Sequence, residues 1–170
     1  GEEHAHALLE INANIVLTDI DLKKLNLLKK KLIKQYPLSI IEVIKMDVSN
    51  EKSIKKTVVN LKKKKISLYC LINNAAIDAK VKRNQKMSNS SPFEKTSINE
   101  WNKHISVGLT GSMLCAKYFG QMIVTNKIGG VIINVASDLS VIAPNHKIYK
   151  KGVFKPVMYS VIKHGIIGLT

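Results

Sequence analysis

The sequence has little cysteine, little arginine and few aromatic residues. Its two cysteines, Cys70 and Cys115, lie in separate apolar stretches, so we expect reduced, buried thiols and neither a disulfide framework nor a metal site. No apolar run approaches the ~18 residues that a membrane span needs. The polar residues at the start of the chain do not resemble a signal peptide. These absences favour a cytoplasmic protein with no membrane segment and no bound metal.

Positive charge is what the sequence has in excess. Lysine and arginine number 27 against 12 acidic residues, which gives a formal net charge of +15, yet only Arg83 is an arginine. Nucleic-acid-binding surfaces generally use arginine forks and interleaved aromatic side chains. We therefore expect the lysines to form a solvated surface and predict no nucleic-acid partner, although a lysine-rich nucleic-acid-binding protein remains an alternative interpretation.

Helical and strand-like segments alternate along the chain. Apolar periodicity predicts helices over 2–12, 21–35, 50–62, 97–125 and from 157 onward, and strands over 14–18, 39–46, 67–72 and 131–136. Asp21 is the expected N-cap of the second helix. The strand over 67–72 is continuously apolar, which is typical of a strand covered on both faces. The alternation predicts a single α/β domain with a parallel sheet and helices on both faces.

Ligands bind such sheets at the carboxyl ends of the strands, where several motifs occur. Asp19 ends the first strand-like run and could accept hydrogen bonds from ribose hydroxyls while repelling a 2′-phosphate, which favours NAD over NADP. Asp47 and Val48 follow the next run and could contact an adenine ring. Gly1 fits the last glycine of a dinucleotide loop. Each also has an ordinary interpretation, as a turn or as the start of a helix.

Small and amide residues follow the strand over 67–72, in the order Asn73, Asn74, Ala75 and Ala76. Small side chains there would let a cofactor approach the backbone, and the asparagines could brace neighbouring strands. A simple strand-ending turn is the alternative interpretation.

The strongest local signal is the pair Tyr159 and Lys163. On a helix, residues four apart share a face. A phenol ionises near pH 10, and a neighbouring ammonium stabilises the phenolate, so such a pair can exchange a proton with a carbonyl or an alcohol. The pair follows a strand that ends near Ser137, whose hydroxyl could hydrogen-bond a substrate oxygen.

Taken in this order, the residues resemble the short-chain dehydrogenase/reductase family. The shared pattern has an acid after the second strand, DV after the third, NNA after the fourth, a serine after the fifth and YxxxK on the next helix. The resemblance implies a Rossmann-like, doubly wound parallel sheet in three α/β/α layers. It also implies an NAD-dependent oxidoreductase that acts on a small molecule and assembles as a homo-oligomer, a dimer or a tetramer.

The resemblance also implies residue roles. Tyr159 would be the catalytic acid/base, Lys163 would support its phenolate and hold the nicotinamide ribose, and Ser137 would orient the substrate. The remaining positions would hold the cofactor or brace the fold: Gly1, Asp19, Asp47, Val48, Asn73 and Ala75.

The sequence departs from the family pattern in three ways. Ala76 stands where NNAG would have glycine, and Gly108 stands where the long helix usually has an asparagine that holds a relay water. In addition, the family's first strand would precede Gly1 and its last strands would follow Thr170. We therefore expect a fragment of the domain with unpaired sheet edges. Because Gly108 replaces the asparagine, a non-catalytic relative that binds a nucleotide is the alternative function.

The segment between Ser137 and Tyr159 is longer than is typical of the family, and it is rich in lysine. It resembles, with the helix that follows, relatives associated with flagellin modification and surface-sugar biosynthesis. Its basic residues suggest an anionic substrate such as a sugar phosphate; the alternative is solvated surface charge. They are His146, Lys147, Lys150, Lys151 and Lys155.

Overall fold

The computed structural model describes residues 1–77, 92–149 and 153–170. These residues form two compact units, Gly1–Ile66 and Ser67–Thr170, and each unit contains one pair of parallel strands with helices packed on it. The predicted α/β class with parallel strands is therefore confirmed. The assignment of the whole chain to a single domain stays a prediction.

The first unit alternates helix and strand throughout. Its elements are α1 (Glu2–Glu10), β1 (Ile15–Asp19), α2 (Leu22–Gln35), β2 (Ile41–Lys45) and α3 (Glu51–Lys63). Strands β1 and β2 pair in parallel from Ile15 opposite Ile41 to Asp19 opposite Lys45. Consecutive parallel strands require a crossover, and α2 supplies it.

The core of this unit follows from helical spacing. Ala5 and Leu9 lie four residues apart on α1 and pack with Leu32 of α2 against Ile15 and Ile41 of the two strands. The side chain of Asp21 accepts a hydrogen bond from the backbone N–H of Lys24 at 3.1 Å, which confirms it as the N-cap of α2.

The second unit is built around strands β3 (Cys70–Asn73) and β4 (Val131–Asn134). Its helices are α4 (Ile98–Ile105), α5 (Gly111–Thr125) and α6 (Val157–Leu169), and short 3₁₀ turns occupy Phe93–Lys95, Asp138–Ser140 and His146–Ile148. The two strands pair in parallel, and α5 packs on both of them. Just before β4, Gly130 has φ +158, and a Cβ there would overlap the backbone carbonyl of Tyr69.

The expectation that the strand over 67–72 is covered on both faces is wrong for this unit. All four residues of β3 are only half-buried, and Tyr69 just before it is 58% exposed. Side chains alternate between the faces of a strand, and on β4 Val131 and Ile133 remain 42% and 44% exposed. In this two-stranded sheet α5 packs on both strands, yet no residue of either strand is fully buried.

The long helix predicted over 97–125 is present, but it is not uniform. A π-helical turn, Ser106–Thr110, joins α4 to α5 without a break. On the α4 side, Trp101, Ile105 and Leu109 pack against a buried cluster on α6 that consists of Met158, Ile162 and Ile166. The interruption lies at the position where the sequence departs from the family pattern.

Candidate active site

Tyr159 and Lys163 lie one turn apart on α6, as their spacing predicts. The Nζ atom of Lys163 is 5.7 Å from the centroid of the Tyr159 ring. Lys163 is 6% exposed, and a buried ammonium is costly unless it is hydrogen-bonded. Its Nζ donates to the backbone carbonyl of Val135, the residue that follows β4. This bond ties α6 to the carboxyl end of β4 and holds the ammonium beside the phenol.

Ser137 lies two residues beyond Val135 and caps the turn Asp138–Ser140, which packs on α6. Its hydroxyl donates to Oδ1 of Asp138 at 2.7 Å and accepts from the backbone N–H of Leu139 at 3.3 Å. The hydrogen bond from Ser137 and that from the Leu139 backbone lower the pKa of the Asp138 carboxyl. Ser137 therefore has to release Asp138 before its hydroxyl can donate to a substrate.

Lys155 is a neighbour of Tyr159 that the sequence interpretation missed. Its Nζ atom lies 3.7 Å from the centroid of the Tyr159 ring, closer than that of Lys163. The ammonium also attracts the carboxylate of Asp138, which contributes to the lowered pKa of that group. The available signal was spacing, because Lys155 precedes Tyr159 by as many residues as Lys163 follows it.

Asn73 joins the ends of the two strands to the helix that covers them. Its Nδ2 donates to Oδ1 of Asn134 at 2.8 Å and to the backbone carbonyl of Ser112 at 3.3 Å. In turn, Nδ2 of Asn134 donates to the hydroxyl of Thr170 at 3.0 Å. Because both asparagines end their strands, this network fixes the edge at which Ala75 is exposed.

Gly108 lies inside the π-helical turn and is buried. Its carbonyl accepts a hydrogen bond from the Ser112 hydroxyl at 2.8 Å, and a Cβ at this position would lie 2.7 Å from Cγ2 of Ile162. Ile162 belongs to the same helix as Tyr159 and fills the space into which a side chain at 108 would extend. The chain thus departs from α-helical geometry where the family usually has its asparagine, but it supplies no amide there.

The predicted adenosine-binding residues belong to the first unit. Asp19 ends β1 with an exposed side chain, and its Oδ1 accepts from the backbone N–H of Asp21 at 2.9 Å. Asp19 also lines a groove of about 620 Å³ together with Glu2 and with apolar and basic side chains of α2. Several of those side chains are lysines, namely Lys24, Lys30, Lys31 and Lys34.

Asp47 and Gly1 make local contacts that a structural role alone would also produce. The carboxylate of Asp47 accepts from the backbone N–H and the hydroxyl of Ser49, at 2.9 and 2.6 Å. Gly1 is the N-cap of α1, and its carbonyl accepts from the N–H of Ala5 at 3.1 Å. Val48 follows Asp47 and is half-buried. Their roles in cofactor binding stay predictions.

The lysine-rich segment is described only in part. His146 and Lys147 are exposed, and the His146 ring meets the Phe154 ring edge-on at 5.5 Å. Lys150 and Lys151 lie outside the described residues.

The two cysteines are free thiols, and Cys115 is the more deeply buried of them. Burial raises the pKa of the Cys115 thiol to about 11, and it also raises the pKa of the half-buried Cys70. Across the described residues, no three side chains of histidine, cysteine, aspartate or glutamate come together as a metal site would require. Within the same ranges, every helix is too short or too polar to cross a membrane.

Comparison with known proteins gives a match over the whole chain. A family model described as "Enoyl-(Acyl carrier protein) reductase" matches residues 1–170. An uncharacterized oxidoreductase of Thermotoga maritima is 30% identical over 141 residues, which cover 81% of this chain and 48% of that protein. The chain belongs to the short-chain dehydrogenase/reductase family. The resemblance stated from the sequence motifs is therefore confirmed at the level of the family.

Other members of the short-chain dehydrogenase/reductase family agree with this assignment. An NAD-dependent glycerol dehydrogenase of Listeria innocua is 29% identical over 171 residues, which cover 100% of this chain and 57% of that protein. A gluconate 5-dehydrogenase of Burkholderia cenocepacia, solved with NADP and tartrate, superposes with a TM-score of 0.79 at 20% identity and covers 100% of this chain and 59% of that one. The fold is the Rossmann fold of this family, and the chain spans about half the length of the relatives it matches.

Proposed function

We propose that the intact protein is an oxidoreductase that transfers a hydride between NAD(H) and a carbonyl or alcohol substrate, with Tyr159 as its acid/base. The observation that carries the proposal is the fixed pair on α6, in which the buried Lys163 is hydrogen-bonded at the end of β4 with its ammonium 5.7 Å from the Tyr159 ring. An ammonium so placed favours the phenolate over the phenol. Such a pair can pass a proton to or from a substrate oxygen.

The proposed chemistry assigns one step to each residue. The nicotinamide supplies or accepts the hydride when it is bound. In the reducing direction, the Tyr159 hydroxyl gives its proton to the carbonyl oxygen, and in the oxidising direction the phenolate takes the alcohol proton. Ser137 exchanges its bond with Asp138 for one to the substrate oxygen, which orients the substrate. Lys163 would stabilise the phenolate and hold the nicotinamide ribose.

The proposed cofactor is NAD rather than NADP, because Asp19 presents an exposed carboxylate at the end of β1. A 2′-phosphate near this carboxylate would meet a like charge. The name of the Listeria relative supports this preference, whereas a structural neighbour was solved with NADP. Lysines in the groove beside Asp19 would offset part of the repulsion, so we expect a preference rather than exclusion. Asp47, Val48, Ala75 and Gly1 would contribute backbone and side-chain contacts to the dinucleotide.

The proposed substrate carries an anionic group, such as a phosphate or a nucleotide-linked sugar. The support is the basic segment before α6, in which the described Lys147 is exposed and carries no ion pair to an acid within the described residues. Lys147→Ala should raise KM for a phosphorylated carbonyl and leave KM for a neutral one unchanged. The effect should shrink as salt increases. If Lys147→Ala changes KM by the same factor for the phosphorylated and the neutral substrate, or changes neither, this part of the proposal is refuted.

Replacement of Tyr159 by phenylalanine tests the central proposal in the full-length protein. Tyr159→Phe removes only the hydroxyl and should lower kcat/KM at least ~10²-fold, the usual scale of general acid/base catalysis, with the dinucleotide still bound. Tyr69→Phe, at a tyrosine that is 58% exposed, is the matched control and should keep full activity. A Tyr159→Phe enzyme with parental turnover would refute the assignment.

A second candidate is a family member that binds a dinucleotide without catalysis. The observation that favours it concerns Gly108, which has no side-chain amide to support a proton relay. Ile162 fills the space that a side chain at this position would need. Calorimetric binding of NADH, together with a lack of turnover across a panel of carbonyls and alcohols, would establish this alternative. A cytoplasmic location and a homodimer or homotetramer are part of the proposal for the intact protein, and analytical ultracentrifugation tests the second point.

A further inference from the structure

Two lysines contact the proposed catalytic tyrosine from opposite directions along the chain. Lys163 lies one turn later on α6, whereas Lys155 lies before the helix begins, in the described segment 153–156. The distances from the two Nζ atoms to the Tyr159 ring centroid are 5.7 and 3.7 Å. Only Lys163 belongs to the YxxxK motif, so the motif does not account for the closer cation.

The position of Lys155 is that of a cation–π contact. Such contacts form when an ammonium lies within about 6 Å of a ring centroid, and they strengthen as the pair loses water. Tyr159 and Lys155 are both half-buried. The contact therefore restrains the ring and places a positive charge beside it.

Lys155 is also linked, through Asp138, to Ser137, the residue proposed to orient the substrate. Its charge attracts Asp138, and Asp138 accepts the hydroxyl hydrogen bond of Ser137 at 2.7 Å. Ser137, Asp138, Lys155 and Tyr159 therefore form one connected set. When the Ser137 hydroxyl leaves Asp138 to bind a substrate, the Asp138 carboxylate still has the positive charge of Lys155 nearby.

We propose that Lys155 is a positioning residue for Tyr159, whose ammonium holds the phenol ring by a cation–π contact and adds a second positive charge to that of Lys163. This role deepens the proposed function and rests on it for its effect on turnover. The effect on the tyrosine itself does not depend on any activity.

Other ionisable groups near α6 bear on the test. The turn Asp138–Ser140 and α4 both pack on α6. The turn contributes Asp138, whose negative charge opposes that of Lys155. Helix α4 contributes Glu100, Lys103 and the buried His104, while its contacts with the α6 cluster are made by Trp101 and Ile105. Because these groups stay the same in all variants, differences between variants isolate the charge of Lys155.

Ultraviolet titration of the full-length protein tests the proposal without substrate. This chain has five tyrosines, and subtraction of the Tyr159→Phe curve from the parental curve isolates the ionisation of Tyr159. Lys155→Met and Lys155→Gln should move the midpoint of that ionisation upward, because each removes a positive charge 3.7 Å from the ring centroid. Lys155→Arg should keep the parental midpoint, because a guanidinium also stacks on aromatic rings.

The matched control removes a lysine that contacts a tyrosine elsewhere. Lys117 lies on α5 with its Nζ 5.2 Å from the Tyr118 ring centroid, so Lys117→Met should leave the Tyr159 midpoint unchanged. Thermal unfolding identifies which of the two neutral Lys155 variants is folded, and either one suffices. If the Tyr159 midpoint in the folded Lys155 variant equals that in Lys117→Met, the proposal is overturned.

A kinetic arm separates this proposal from the proposed function. If both hold, kcat/KM for alcohol oxidation by the neutral Lys155 variant at pH 7 should fall roughly three- to tenfold and recover as pH rises, because the phenolate is the base in that direction. Tyr159→Phe should be inactive at every pH. An active Tyr159→Phe enzyme would refute the proposed function alone. If the ratio of kcat/KM between the parent and the Lys155 variant does not change with pH, the role of Lys155 alone is refuted.

Discussion

Replacement of Gly108 by alanine should destabilise the protein, although an alanine is normally favoured over glycine in a helix. The added Cβ would lie 2.7 Å from Cγ2 and 3.1 Å from Cδ1 of Ile162. Cγ2 is attached directly to a β-branched carbon and cannot swing away as the end of a long side chain could. Ile162 is also 6% exposed inside a packed cluster, so it has little room to move.

The magnitude follows from two opposing effects. Helix propensity favours alanine over glycine by about 1 kcal/mol, whereas overpacking of a core costs about 1–3 kcal/mol. We expect Gly108→Ala to lower the free energy of unfolding by up to ~2 kcal/mol. Urea denaturation of the full-length protein, with an unchanged m-value, measures it.

A double-mutant cycle assigns the cost to the contact with Ile162. Ile162→Ala alone should lose about 2–5 kcal/mol through the cavity it creates. In that background Gly108→Ala should be neutral or stabilising, because the atoms it meets are gone; the coupling should be about 1–3 kcal/mol. Gly168→Ala on α6, where a Cβ meets nothing within 4 Å, is the matched control and should not destabilise. Equal effects of Gly108→Ala in both backgrounds would contradict this reasoning.

Three further predictions concern single groups. Asp19→Asn should narrow the preference for NAD over NADP by roughly tenfold, read as the ratio of the two kcat/KM values; parental discrimination in this variant would remove Asp19 from cofactor choice. Cys115, whose pKa burial raises to about 11, should resist iodoacetamide at pH 8 and react after denaturation, as peptide mass spectrometry can measure; rapid labelling of folded protein would contradict its burial. Glu42 has a pKa lowered by its hydrogen bond from Lys64, so its stabilisation is full above the unfolded-state pKa and is lost as pH falls through the folded-state value. Glu42→Gln should therefore cost at most ~1 kcal/mol at pH 7 and nothing in strong acid; a constant difference across urea titrations from pH 3 to 7 would argue against the ion pair.

Residues whose contacts follow from helical spacing were predictable from the sequence. Tyr159 and Lys163 share a face of α6 because they are four residues apart, and Asp21 caps α2 because a short acceptor side chain precedes an amphipathic run. The order of helices and strands was predictable for the same reason, since apolar periodicity distinguishes the two.

Contacts that depend on the path of irregular backbone were not predictable. Lys155 lies beside the Tyr159 ring because of the path of the irregular residues before α6, and no periodicity predicts that path. The bond from Ser137 to Asp138 depends in the same way on the short turn after β4. The exposure of Val131 and Ile133 was not predicted either, because an apolar strand sequence does not reveal which elements will pack on its two faces.

The π-helical turn at Ser106–Thr110 has a consequence for insertions and deletions in this protein. A π turn spreads its hydrogen bonds over one residue more than an α turn, so it amounts to a one-residue insertion within a continuous helix. Removal of one residue there would return the segment to α geometry and leave the residues on either side on their present faces, because the wide turn had absorbed the extra residue. Removal of one residue from the regular part of α5 would instead rotate everything after it by about 100°, and Phe119 and Met122, which are buried on α5, would turn away from their present contacts. The π turn is therefore the place in this long helix where a change of length is tolerated best.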